Sequence, residues 1–226
     1  MKALVIDCAC SRMTVAAKNE DKTFTAIYDI GMRQSETLVP AIDSALEKAG
    51  LAKNELDYTA LTIGPGSFTG LRLGISALKA IECAFGTPVY GISSLEAYAY
   101  AYKEFDLPVL ACIDANKDRF FAGLYTKGVS IIADGDYDIP FLSQKLKDTP
   151  KIILAGFEKD TTRLKSLLSA ALPSLEIITP SITNVTTEAL FALAENKKTA
   201  GIPPLQEYDG PVYLRASEAE IKLSTS

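Results

Sequence analysis

No histidine occurs among the 226 residues of the chain, and no tryptophan. Without an imidazole there is no Ser-His-Asp or Cys-His nucleophile, no histidine zinc ligand and no side chain with an unperturbed pKa near neutrality to shuttle protons. Cysteine is scarce as well: Cys8, Cys10, Cys83 and Cys112 form no CxxC pair. Cys8 and Cys10 would share one strand face with no second pair beside them, so the four read as buried, reduced thiols rather than a zinc cluster. No apolar run reaches the roughly 18 residues that a membrane helix needs, and the apolar stretch at 3–6 is too short for a secretory signal. The expectation is a cytoplasmic protein without a membrane segment. A net charge of −5 supplies no broad basic field, so contact with nucleic acid would have to come through a partner. What the chain does have is a 48% apolar composition, ample for a buried core and incompatible with disorder.

Apolar runs at 3–6, 13–17 and 24–30 predict three strands that open the protein as a meander. A helix follows, with Ser35 as its cap, Leu38, Ile42, Ala45, Leu46 and Ala49 on one face, a kink at Pro40 and a stop at Gly50. Residues 56–63 read as a strand, 71–85 as a helix ended by Gly86 and Pro88, 89–92 as a strand and 95–102 as a helix. The pattern then restarts. A strand at 107–113 ending in Asp114 and its partner at 120–126 echo the first hairpin, whose strand ends in Asp7. Two such hairpins indicate a duplicated α/β domain with a boundary near Phe105, hence domains 1–104 and 105–226. Signals are weaker over 128–180, with a strand at 152–155 and a helix at 162–172. A last helix at 187–196 is capped by Thr186 or Thr187, and the tail from about 205 is placed back on the first domain.

Residues 64–74, GPGSFTGLRLG, join a strand to a helix. Small residues let the backbone turn sharply, and Gly64, Gly66, Ser67, Thr69, Gly70 and Arg72, with Asp7 nearby, form a candidate anion- or nucleotide-facing loop. The alternative is a plain tight turn, since the loop lacks the lysine of a Walker A motif and its glycines miss GxGxxG by one residue. In the helix beyond, Leu71, Ile75, Leu78 and Phe85 make a large apolar face. Gly70, Gly74, Ala77, Ile81 and Ala84 make a second face of mostly small residues. Together with Leu38, Ile42 and Leu46, this second face predicts a flat apolar patch for another chain, unless both faces are buried within this one. Ser76 and Lys79 match the SxxK spacing of serine-lysine hydrolases, but the accompanying SDN and KTG motifs are missing. Asp7 and Asp114 sit at strand ends, where carboxylates can position a metal-nucleotide complex or simply form turns.

The run GPGSFTGLRLG resembles the hallmark of the bacterial TsaB (YeaZ) family. Minor matches lie in the same order along the chain: LVIDCA at 4–9, Ser35-Glu36 with Leu38 and Pro40, GISSL at 91–95, IDA at 113–115 and PVYLR at 211–215. The resemblance implies two actin-like, sugar-kinase-like (ASKHA) domains and a non-catalytic partner of TsaD. TsaD transfers the threonylcarbamoyl group from threonylcarbamoyl-adenylate to the adenosine beside the anticodon of tRNAs that read ANN codons. TsaE, an ATPase, joins the pair. It further implies no cofactor of the chain's own, ATP and metal held by the partner subunits, tRNA contact only through the complex, and self-association as a homodimer in isolation. By the same resemblance, the first two helices of the N-terminal domain form the partner surface. The rival readings are, first, a stand-alone ASKHA phosphotransferase using Asp7 and the loop that begins at Gly64 and, second, the serine-lysine hydrolase. Two positions depart from the family pattern: Gln34 stands where a histidine is common, and Asn116 where an arginine is.

Overall fold

The apolar run at residues 3–6 becomes the centre of a sheet. In the computed structural model, which describes residues 1–31, 33–180 and 186–215, strand β1 (Lys2–Asp7) lies between antiparallel β2 (Arg12–Asn19) and parallel β4 (Tyr58–Gly64). Strand β3 (Lys22–Asp29) closes one edge and β5 (Val89–Ser93) the other, giving the order β3-β2-β1-β4-β5. Every residue of β1 after Lys2 is buried, because helices cover both faces. This explains a continuous apolar run where a one-sided strand would alternate. On one face Leu4, Ile6, Met13, Val15 and Leu61 pack against α1 (Gln34–Ala49) and α2 (Phe68–Phe85). On the other, Val5, Ala16, Tyr58, Ala60 and Ile92 meet α3 (Ser94–Tyr100) and a helix from far along the chain.

The second sheet repeats the plan. Strands β6 (Val109–Asp114), β7 (Arg119–Thr126), β8 (Val129–Asp138), β9 (Lys151–Ala155) and β10 (Glu176–Ile178) run in the order β10-β9-β6-β7-β8. Read from the other edge, this is the order of the first sheet. The β6–β7–β8 meander is antiparallel, and β9 and β10 are parallel additions. Helices α4 (Ile139–Leu146) and α5 (Glu158–Ala171) cover one face through Leu142, Leu146, Leu164 and Leu168. Two mixed sheets with packed helices, one a copy of the other, make the actin-like, sugar-kinase-like fold expected above. Strand β8 and helix α4 fall in the stretch whose signals are weak. The alternation there is broken by Asp134, Gly135 and Asp136, where the Asp134 carboxylate accepts from Tyr125 and that of Asp136 pairs with Arg119 and Arg215. Asp138 ends β8 and caps α4 by accepting the Phe141 N–H at 2.9 Å.

The units are not consecutive halves. One comprises Met1–Ala101 with Val185–Pro211, the other Tyr102–Asn184 with Val212–Ser226. This differs from a division into 1–104 and 105–226, because α6 (Thr187–Thr199) returns to the first sheet. There Leu190, Phe191 and Ala194 pack beside Ala3, Val5 and Tyr58. Lys18 and the Tyr58 hydroxyl fix the same helix by contacts to Glu195 at 2.8 and 3.0 Å. The tail at Leu205 also docks on the first unit, its N–H bonded to the Val89 carbonyl at 2.7 Å. Helix caps differ in detail from expectation. Helix α1 starts one residue earlier than Ser35, with Arg33 at its N-cap and no side-chain cap, and it does end at a left-handed Gly50. Pro40 lies inside it, exposed.

Candidate functional site

The candidate site grows from the end of β1. Asp7 closes that strand and is 3% exposed. Its Oδ1 accepts from the Ala9 N–H at 2.9 Å and the Thr62 hydroxyl at 2.8 Å, and its Oδ2 from the Thr186 hydroxyl at 2.6 Å. Both carboxylate oxygens are therefore committed to donors of the same unit. Thr186 holds the N-cap position of α6 but makes no side-chain cap there, and its hydroxyl ties the helix start to β1 instead. A carboxylate that orients metal-bound phosphate needs open lone pairs facing solvent. Asp7 faces three buried donors.

The loop of residues 64–74 lies against the β1–β2 turn. Ser67 donates its N–H to the Ala9 carbonyl at 2.6 Å, and its hydroxyl caps α2 by accepting the Gly70 N–H at 3.2 Å. Two N–H groups that an anion cradle would use are thus spent internally. A side chain at Gly66 would strike the Ala9 backbone, and one at Gly70 the Cys8 carbonyl and, at 2.9 Å, Gln34 Oε1. The glycines are there because two backbones touch. Thr69 and Arg72 are exposed, and the Arg72 guanidinium sits 3.9 Å over the Phe68 ring. Gln34 is buried and donates from Nε2 to the Cys10 carbonyl, fastening the first turn of α1 to the same hairpin turn. Between these elements opens a cleft of about 140 Å3 lined by Cys10, Ser11, Gly31, Gln34, Ser35, Ser67, Thr69, Gly70 and Leu73. Sequence reasoning missed it, since its walls come from three separated segments with no shared motif. Burial pushes the Cys8, Cys10 and Cys112 thiols up from their ordinary range, with nearby aspartates adding to the effect. That makes them poor nucleophiles.

The SxxK pair does not form a catalytic dyad. Lys79 Nζ donates to the Leu205 carbonyl at 2.7 Å and pairs with Glu82 at 2.7 Å. Both contacts commit the Lys79 ammonium to acceptors other than Ser76. At the end of β6, Asp114 accepts from the Asn116 N–H at 2.8 Å and pairs with Arg163, which also reaches Asp118 at 2.7 Å. Asp160, in the first turn of α5, has its carboxyl pushed up to about 6, first by burial and then by the Asp114 charge.

The apolar residues assigned to a partner surface fall into two groups. Leu38, Ile42, Leu46, Gly70, Gly74 and Ile81 are buried. Leu38, Ile42, Leu46 and Ile81 belong to the first unit's own core cluster. A Cβ on Gly74 would lie 3.4 Å from Leu61 and 3.5 Å from Ile6, so the small-residue face of α2 rests partly on its own sheet. This corrects the expectation of a second, outward-facing side built from those six. Ala77 is half-buried and Ala84 exposed. The accessible stripe of α2 runs instead through Thr69, Arg72, Ser76, Ala80 and Cys83, with Ala84 and the end residues Phe68 (50%) and Phe85 (47%) also exposed, as is Val39 (57%) on α1. Among the described residues no helix is long and apolar enough to cross a membrane, and no group of His, Cys, Asp and Glu is arranged to hold a metal ion.

The repeated sheet order, β3-β2-β1-β4-β5 in the first unit and its counterpart in the second, puts the chain in the actin-like fold class. The family model described as "TsaD: tRNA N6-adenosine threonylcarbamoyltransferase" matches residues 31–223. The chain is 28% identical to the tRNA threonylcarbamoyladenosine biosynthesis protein TsaB of Bacillus subtilis, over 98% of this chain and 97% of that one. It is 27% identical to the Escherichia coli protein of the same name, over 99% and 98%. Among solved structures, YeaZ from Pseudomonas aeruginosa superposes with a TM-score of 0.74 at 26% identity, covering 94% of this chain and 99% of that one. The chain belongs to the TsaD family of tRNA N6-adenosine threonylcarbamoyltransferases and, within it, to the TsaB (YeaZ) group.

Proposed function

We propose that the chain acts in tRNA threonylcarbamoyladenosine biosynthesis as a non-catalytic subunit required by a TsaD-like threonylcarbamoyltransferase. The observation that carries this reading is the state of Asp7: this strand-end carboxylate, placed where an actin-like enzyme would handle a metal-nucleotide complex, is sealed by Ala9, Thr62 and Thr186. The lack of histidine supports it, because a histidine metal site cannot be assembled from this sequence. ATP and metal then belong to the TsaD-like and TsaE-like partners, and tRNA is met through the complex.

Docking is assigned to the outer stripe of α2, together with the exposed Val39 of α1. Aromatic anchors next to small residues suit a helix-against-helix contact, in which alanines allow close approach and Phe68 and Phe85 supply buried area. The same stripe would carry self-association when the partner is absent. The test mixes the purified chain with a TsaD-like subunit, threonylcarbamoyl-adenylate and substrate tRNA. Modification is expected to need both proteins, and Ala80→Glu is expected to abolish both co-elution and activity with the monomer still folded. Full modification by the TsaD-like subunit alone, or normal pairing of Ala80→Glu, would overturn the assignment.

A further inference from the structure

The turn between β6 and β7 carries three consecutive residues in the left-handed region, Asn116 (φ 62°), Lys117 (φ 53°) and Asp118 (φ 54°), none of them glycine. L residues adopt this region singly, and a run of three persists only where the surroundings impose it. Two arginines from distant parts of the chain do so. Arg163 of α5 bridges Asp114, two residues before the turn, and Asp118, its last position. Arg215 of the tail donates from Nη1 to the Ala115 carbonyl at 2.9 Å and from Nε to Asp136 at 2.7 Å, with its guanidinium 5.5 Å over the Phe121 ring. A third arginine, Arg119, holds the other oxygen of Asp136 at 2.9 Å and so fixes the carboxylate that receives Arg215.

We propose that the turn at 116–118 is a strained element held in its left-handed form jointly by Arg163 and by the tail through Arg215, so that tail docking and turn conformation are coupled. Displacing residues 212–215 then releases the turn, and relaxing the turn weakens the seat of the tail. The coupling gives the arginine of the PVYLR motif a task that lies outside the docking helices and is independent of the proposed function.

Hydrogen–deuterium exchange tests this on the full chain, read at the amides of Ala115, Asn116 and Arg119. These are protected respectively by the Arg119 carbonyl, Asp114 Oδ1 and the Asn116 carbonyl. Losing one charge-assisted clamp in Arg215→Gln should speed their exchange about tenfold, while the amides of Ile152 and Ile153 in β9 stay unchanged and report that the unit remains folded. Arg215→Lys, which cannot span both acceptors, should lie between. Adding Lys117→Gly to Arg215→Gln should restore protection, since glycine adopts the left-handed region without a clamp. Unchanged exchange in Arg215→Gln, or failure of Lys117→Gly to restore it, would overturn the proposal.

Discussion

Replacing Asp7 separates an anchoring carboxylate from a catalytic one. Asp7→Ala removes the acceptor for three donors, the Ala9 N–H and the hydroxyls of Thr62 and Thr186, in a site that is 3% exposed. A buried donor left without a partner costs about 1–3 kcal/mol, so three of them, partly relieved by hydroxyl rotation and entering water, cost roughly 3–6 kcal/mol. Against a typical total of about 5–15 kcal/mol, that is a large share of the first unit's stability. Asp7→Asn keeps one carbonyl oxygen for Ala9 and Thr62, and the Thr186 hydroxyl can turn from donor to acceptor. Its expected cost is about 1–2 kcal/mol. The chain has no tryptophan, so the assay is urea unfolding followed by far-UV circular dichroism, with hydrogen exchange at the start of α6 as the local readout. Early exchange at the start of α6 is expected in Asp7→Ala, where Thr186 loses its tie to β1, and exchange close to the parent's in Asp7→Asn, where that tie is kept. Stability of Asp7→Ala within about 0.5 kcal/mol of the parent, the range of ordinary surface substitutions, would refute the anchoring role. ATP turnover lost on Asp7→Asn at unchanged stability would restore the phosphotransferase reading.

Asp160 makes a pH prediction with a defined sign. Its folded carboxyl is raised to about 6 by burial and by Asp114, above its unfolded value, so the ionised form is destabilising. That penalty is fully present above about pH 6 and is relieved as pH falls from 6 towards 4. Because the side chain is only half-buried and so screened by solvent, Asp160→Asn should stabilise the protein at pH 7.5 by only about 1 kcal/mol and flatten the stability profile between pH 6 and 4. An unchanged profile in denaturant titrations would count against the assignment. Gly70→Ala would push a methyl into the Cys8 carbonyl and should lower Tm by several degrees, measurable by calorimetry; an unchanged Tm would mean that the loop does not need that close approach. Lys79→Met removes the bond to the Leu205 carbonyl and should cost about 1 kcal/mol while speeding proteolysis near residues 202–206. No change in nicking there would show that Lys79 does not hold the tail.

Much of the architecture is written in local chemistry. The three-stranded opening, the αL stops at Gly50 and Gly86, the Ser67 cap and the repeat of an aspartate-ended hairpin all depend on residues within a few positions of one another. Hydrophobic period and turn chemistry report such features directly. Strand β8 was hidden because its aspartates serve arginines and a tyrosine instead of turns, and a polar strand of that kind looks like loop until its partners are known.

By itself the sequence determined the duplicated α/β plan, the exclusion of imidazole chemistry and the family, since these follow from composition, period and an eleven-residue run. Only the tertiary structure decided three further matters. It returned α6 to the first unit, sealed Asp7 beneath Thr62 and Thr186, and turned Leu38, Ile42, Leu46 and Gly74 inward, leaving Ala80, Ala84 and the terminal phenylalanines of α2 outside. The physical reason is common to all three. A helix with two apolar sides does not encode which side meets its own sheet, and an aspartate does not encode whether its donors come from solvent or from a hydroxyl 179 residues away. Contacts at that separation are set by how the elements pack.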